Sequence, residues 1–188
     1  IRVMRFAVVA VAGLVAACAA APDRPSQPEP SSTFRTGLAT VTARQHMAAS
    51  ANPLATRAGL EILRSGGSAV DAAIAIQLVL GLVEPQSSGL GGGAFLLYWD
   101  GKQVVALDGR ETAPMAADEH LFLTPAGTPM AFYDAVVGGR SVGTPGAVRL
   151  LETAHQRYGK LPWPRLFEPA IRLSEDGFAM SPRLNQLL

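Results

Sequence analysis

Few side chains in this sequence are of types and spacings that could do chemistry, and the most pointed are Arg110 and Glu111, in Asp108-Gly109-Arg110-Glu111-Thr112-Ala113-Pro114. A guanidinium is a planar fork suited to gripping a carboxylate through two parallel hydrogen bonds. From the residues alone, an adjacent Arg and Glu more often form a solvated or locally paired surface couple. Ser87 and Ser88 could act as nucleophiles, but no base stands near them, and hydroxyls in a turn more often satisfy local N–H groups. Asp71 follows Ser68 by three residues, the spacing of a capping box, which explains the carboxylate without catalysis. His46, His120 and His155 are isolated, without metal-ligand spacing, and suit exposed or core duty. Cys18 is the single cysteine, which excludes an intramolecular disulfide and a multi-cysteine metal site in this segment.

The elements that would position Arg110 can be read on either side of it. Upstream runs Glu84-Pro85-Gln86-Ser87-Ser88-Gly89-Leu90-Gly91-Gly92-Gly93-Ala94, with four glycines in five residues. Such glycines are entropically expensive and are kept where φ is positive or another backbone passes close by. The turn opens into an apolar strand, Phe95 to Trp99, and Asp100-Gly101 signals a hairpin. Gln103 to Asp108 returns as a second strand and delivers Arg110 to its end, a place where folds put recognition groups. A phosphate-loop reading fails, because the glycines lead into a strand and no Lys followed by Ser or Thr closes the motif.

Residues 1–18 read as an export signal: Arg2 and Arg5 precede the apolar run Phe6 to Ala17. Val15-Ala16-Ala17-Cys18 has the form of a bacterial lipobox, in which the cysteine is acylated; the alternative is ordinary cleavage after Ala19, Ala20 or Ala21. The sequence begins with Ile1, with Met4 close behind, so an unusual start or a truncated reading frame is open. Residues 19–36, rich in Pro and Ser, form an extended tether.

From residue 37 ordered structure is expected. Thr40 to Thr42 and Met47 to Ser50 read as short strands. Asn52 and Pro53 then start an amphipathic helix with Leu54, Ala58 and Ile62 on one face, ended by Gly66-Gly67. Ser68 caps a second helix, apolar from Ala72 to Val83 except for Gln77 and Gly81, and so expected to be buried all round. About 15 helical residues at ~1.5 Å each fall short of the roughly 30 Å hydrocarbon core of a membrane. Residues 117–139 carry turn signals. Thr144-Pro145-Gly146 opens a helix that Gly159 stops, Trp163 anchors the next, which Gly177 closes, and Ser181-Pro182 starts a last one. That helix reaches Leu187-Leu188 with apolar side chains still needing a partner, so the chain is expected to be the N-terminal part of something longer.

A buried helix feeding a sheet implies a layered α/β architecture, and composition agrees with a globular chain. Of 188 residues, 48% are hydrophobic and 16% charged, with a formal net charge of +1. Basic residues are scattered singly, without the clustered stripe that nucleic-acid binding requires.

The run Asn52 to Pro114 resembles the N-terminal part of the large subunit of the γ-glutamyltranspeptidases (glutathione hydrolases). Ser141 to Gly146, Pro169 to Leu173 through Gly177-Phe178, and Ser181 to Leu184 resemble the same family in the same order. The resemblance implies the αββα sandwich of the N-terminal nucleophile hydrolases, with only its N-terminal part present over residues 37–188. It implies that Arg110 holds the α-carboxylate of a γ-glutamyl donor such as glutathione and that Glu111 supports the site. Water, an amino acid or a peptide would be the acceptor, and no cofactor or metal is implied. The catalytic threonine would begin a small subunit cut from the same precursor, outside this chain, so the isolated 188 residues are expected to be inactive and to fold poorly. The leader implies an exported, periplasmic lipoprotein touching the membrane only through Cys18. Two rivals are a cephalosporin (glutaryl) acylase of the same fold and a non-catalytic tethered binding lipoprotein.

Overall fold

The structure is a computed structural model and describes residues 39–188. The expected export signal with Cys18, over 1–18, and the expected tether, over 19–36, lie outside the described residues.

Helix α1 spans Pro53–Arg64; the Asn52 side chain accepts from the Leu54 N–H at 2.9 Å, and proline takes the first turn, where a missing N–H costs nothing. Its end is a Schellman motif: Gly66, at φ +87°, donates to the Leu63 carbonyl at 3.1 Å and Gly67 to that of Ile62 at 3.0 Å. Helix α2 spans Ala69–Val83 and opens on the capping box read from the sequence. The Asp71 N–H donates to Ser68 Oγ at 3.0 Å, and the Ser68 N–H to Asp71 Oδ2 at 2.8 Å. Ala55 and Ala58 of α1 bury against Val79 and Val83 of α2.

Strands β1 (Ala94–Trp99) and β2 (Val104–Gly109) pair antiparallel, with Ala94 opposite Gly109 and Trp99 opposite Val104. The Asp100 N–H bonds the Gln103 carbonyl at 3.3 Å across a turn in which Gly101 has φ +97°. Helices α3 (Phe132–Val136) and α4 (Ala147–Tyr158) follow, then α5 (Glu168–Asp176) and α6 (Pro182–Leu187). The inner sheet face, with Leu96, Tyr98 and Leu107, packs on a core of Ile74, Leu78, Leu150, Leu151, Ala154 and Leu166. Tyr98 stacks on Tyr158 of α4 at 4.1 Å between ring centroids. Each large aliphatic side chain so buried contributes about 1.5–3 kcal/mol.

The other face of the sheet is apolar and open: Phe95, Leu97, Trp99 and Val104 are 65%, 75%, 59% and 62% exposed. The described residues thus form a helical layer against one face of a two-stranded sheet. Among them, no helix is long and apolar enough to cross a membrane.

Two expectations need correction. Residues 40–50 form no strand; β-branched residues favour extended backbone, but a ladder needs a neighbour, and among the described residues only β1 and β2 form a sheet. Helix α2 is not buried all round, since Ala73 is exposed and Ile76, Leu80 and Leu82 are half-buried. Its partners α1, α4 and α5 cover those side chains only in part.

Candidate functional site

Strand β2 ends at Gly109 and hands the chain to Arg110, as the sequence led us to expect. The Arg110 N–H donates to Asp108 Oδ1 at 2.9 Å, which turns the backbone off the strand. The guanidinium is exposed, and no carboxylate among the described residues pairs with it. Two residues on, Thr112 and Thr144 exchange backbone hydrogen bonds at 3.3 and 2.8 Å. The Arg110 loop is therefore fastened to the segment leading into α4. That segment is fastened in turn to the glycine turn, because the Gly92 carbonyl accepts from the N–H groups of Gly146, at 3.1 Å, and Ala147, at 3.0 Å.

What passes close to the glycines is Glu111. A β-carbon on Gly93 would lie 2.6 Å from Glu111 Oε2 and 2.7 Å from both the Glu111 nitrogen and the Gly109 carbonyl oxygen. From the other side, a β-carbon on Gly143 would lie 2.8 Å from that of Glu111. Of the two reasons for keeping glycine, close approach holds at Gly92 and Gly93. None of the four turn glycines has positive φ, and Gly89 and Gly91 have open space around them.

The base of the turn is a buried polar knot. Glu84 accepts from Asn52 Nδ2 at 2.8 Å and from Gln86 Nε2 at 2.5 Å, tying the end of α2 to the start of α1. Ser88 Oγ accepts from Gln77 Nε2 at 2.6 Å, so its hydroxyl serves the preceding helix rather than a turn N–H.

Arg110 lines two concavities. One, of about 260 Å³, also takes in Asp108, Thr144, Arg149 and Thr153; Arg149 is engaged with Glu152 at 2.7 Å. The other, of about 490 Å³, also takes in Glu111, Phe122, Arg140 and Ser141. The second has the volume of a small-molecule site, and two arginines and a glutamate are among the residues that line it. Such an arrangement can hold and orient an anionic, zwitterionic or dicarboxylate ligand.

Asp71 lies elsewhere and does more than cap. Fully buried, its Oδ2 also accepts from the N–H groups of Lys160, at 2.9 Å, and Leu161, at 3.2 Å. Its Oδ1 lies 3.7 Å from His155 Nε2, which is itself 2.8 Å from the Leu161 carbonyl. Carbonyl oxygens only accept, so His155 Nε2 is the donor in that bond. His155 is thus part of a core staple that sequence reasoning missed; the partners are 89 and 90 residues from Asp71. His120 is exposed beside Asp118 and Glu119, and His46 is exposed. Among the described residues no group of three or more His, Cys, Asp or Glu could hold a metal ion.

Residues 55–188 match the profile of the family described as gamma-glutamyltranspeptidase. The chain is 46% identical to glutathione hydrolase 3 of Arabidopsis thaliana over 69% of its own length and 20% of that protein. It is 40% identical to the glutathione hydrolase proenzyme of Bacillus subtilis strain 168 over 76% of its own length and 24% of the relative. The fold is similar to that of a gamma-glutamyltranspeptidase from Pseudomonas nitroreducens complexed with L-DON, with TM-score 0.74 and 35% identity, covering 78% of this chain and 43% of that one. It is also similar to a cephalosporin acylase from Bacillus halodurans, with TM-score 0.63 and 32% identity, covering 81% and 29%. The chain therefore spans a fifth to a quarter of the length of these curated relatives.

Proposed function

This chain belongs to the gamma-glutamyltranspeptidase family, and from that premise we propose that it is the N-terminal part of the large subunit of an exported γ-glutamyltransferase/glutathione hydrolase. The fold is that of the N-terminal nucleophile hydrolases, an αββα sandwich. Arg110 grips the α-carboxylate of the γ-glutamyl donor with its fork, and Glu111, packed between Gly93 and Gly143, keeps the loop in place.

In the complete protein the nucleophile is a threonine that begins the small subunit after the precursor cuts itself. Its hydroxyl attacks the γ-amide carbonyl of glutathione or a similar donor, and its own α-amine takes the proton. The amine leaves with a proton, and the γ-glutamyl ester passes to water, an amino acid or a peptide. Arg110 contributes by fixing the donor so that this carbonyl meets the hydroxyl. The leader gives export to the periplasm and, through acylation of Cys18, attachment to the membrane by a lipid alone.

The observation that carries this reading is the Arg110 guanidinium: exposed, without a carboxylate partner among the described residues, and held at a strand end by a loop clamped on both sides. A second reading has its own support in the likeness to a cephalosporin acylase. A glutaryl donor lacks the α-amine but keeps a carboxylate for Arg110.

The test is to express the complete protein, follow it by gel and mass spectrometry, and assay a γ-glutamyl-anilide beside a glutaryl amide. Self-cleavage exposing threonine, with preference for the γ-glutamyl donor, is the expected result. Preference for the glutaryl donor would move the assignment to the acylase. A chain that stays whole and inactive would leave a tethered binding lipoprotein.

A further inference from the structure

Arg140 stands in the same groove as Arg110 and has no place in the reaction described so far. It sits in a short 3-10 turn, Gly139–Ser141, entered through Gly138 at φ +99°. The turn is fixed by the Ser141 hydroxyl, which donates to the Val136 carbonyl at 2.8 Å. Arg140 Nη1 donates to the Leu121 carbonyl at 2.5 Å, so the guanidinium is tethered to another residue of the groove lining. A guanidinium carries five N–H donors, and this single tether leaves most of them free to face a ligand. No carboxylate among the described residues pairs with it.

The groove therefore carries two guanidiniums against the one carboxylate of Glu111. The Glu111 carboxylate packs against Gly92 and Gly93 and, among the described residues, is ion-paired with neither guanidinium, so an α-carboxylate gripped by Arg110 leaves the Arg140 guanidinium without an anionic partner. The flanking wall includes Leu121, Phe122 and Val142, apolar side chains that offer contact to the body of a ligand whose carboxylate Arg140 holds.

We propose that Arg140 is a specificity-determining residue that binds a second carboxylate, carried by the peptide part of the reaction rather than by the γ-glutamyl group. This rests on the reading of Arg110 as the donor clamp. Two molecules could bring that carboxylate: the leaving peptide of the donor or the acceptor peptide. Either makes a peptide with a free C-terminus the preferred partner over a neutral amine.

The experiment uses the complete protein, wild type, Arg140→Gln and Arg140→Lys. The donor arm measures hydrolysis of a neutral γ-glutamyl-anilide, its carboxylated anilide counterpart, and glutathione. The acceptor arm measures transfer from the neutral anilide to glycylglycine and to its C-terminal amide. Arg140→Gln should raise KM about tenfold for the carboxylate-bearing partner of one arm, with kcat little changed and hydrolysis of the neutral anilide intact; the size follows from losing a charge-assisted hydrogen bond in a half-open groove. Arg140→Lys should recover part of the loss. Which arm moves identifies the source of the carboxylate. The neutral anilide also reports folding, so a misfolded variant cannot pass as support. If Arg140→Gln leaves the ratio of carboxylated to neutral partners unchanged in both arms, the inference is overturned. An Arg110→Gln variant run alongside keeps the two claims apart: full activity there overturns the donor clamp, whatever Arg140 does.

Discussion

The Glu111 carboxylate fills the space that a side chain at Gly93 would need, Oε2 lying 2.6 Å from where a β-carbon would stand. Backbone atoms of Glu111 and Gly109 close the same space at 2.7 Å, so no side-chain rotation can relieve a substitution. The relation joins the glycine turn to the Arg110 loop and makes the geometry of one depend on the other.

Gly93→Ala should therefore push the loop away, at a cost of about 1–3 kcal/mol in stability, the usual effect of overpacking, and it should reduce donor binding. Gly89→Ala is the control, because nothing lies within 4 Å of a β-carbon there and φ is not positive. It should fall within about 0.5 kcal/mol of wild type. Urea midpoints of the two variants check this; equal midpoints would mean that the packing against Glu111 carries no strain.

Asp71→Ala should be among the most destabilising polar substitutions, by roughly 2–4 kcal/mol, because it strands the N–H groups of Ser68, Lys160 and Leu161. Donor KM should stay at the wild-type value in the molecules that remain folded. A rise in KM without loss of stability would mean that Asp71 acts at the donor site rather than in the core.

Much of this was legible because it is local. The capping box at Ser68 and Asp71, the Asn52 cap, the glycine stops and the delivery of Arg110 by β2 follow from spacing along the chain. The same sequence gave no hint that Asp71 also bonds Lys160 and Leu161, or that Thr112 pairs with Thr144, since both join segments far apart along the chain. The glycines announced a close approach but not that Glu111 makes it. Residues 40–50 misled because extended propensity says nothing about whether a neighbouring strand is present. Arg140 gave no sign in sequence, as only its tether to Leu121 and its place in the groove single it out.

Asp100 accepts from the backbone N–H groups of Gln103 and Lys102, and these bonds hold its carboxyl below the ordinary value of 3.8. A depressed carboxylate stabilises the fold above its unfolded value and loses that contribution as pH falls through the folded one. The hairpin between β1 and β2 should therefore loosen only in acid. An NMR titration should place Asp100 below 3.8; a midpoint at or above that value would show that the turn bonds do not form in solution.

The open sheet face of Phe95, Leu97, Trp99 and Val104 is the kind of surface that a second sheet covers in an αββα sandwich. Expressed alone, the 188-residue chain should bind a hydrophobic dye and self-associate, and Leu97→Lys should weaken both. A monomeric chain that binds no dye would mean the face is tolerated in water.

The most direct test of the donor clamp is the kinetics of Arg110→Lys in the complete protein on a γ-glutamyl-anilide. Lysine keeps the charge but loses the planar fork. The expected result is a fall in kcat/KM of roughly 10- to 100-fold, carried mainly by KM, as for the loss of one hydrogen bond to a charged group. Wild-type kinetics in this variant would contradict the assignment of Arg110 and, with it, the functional reading of the groove.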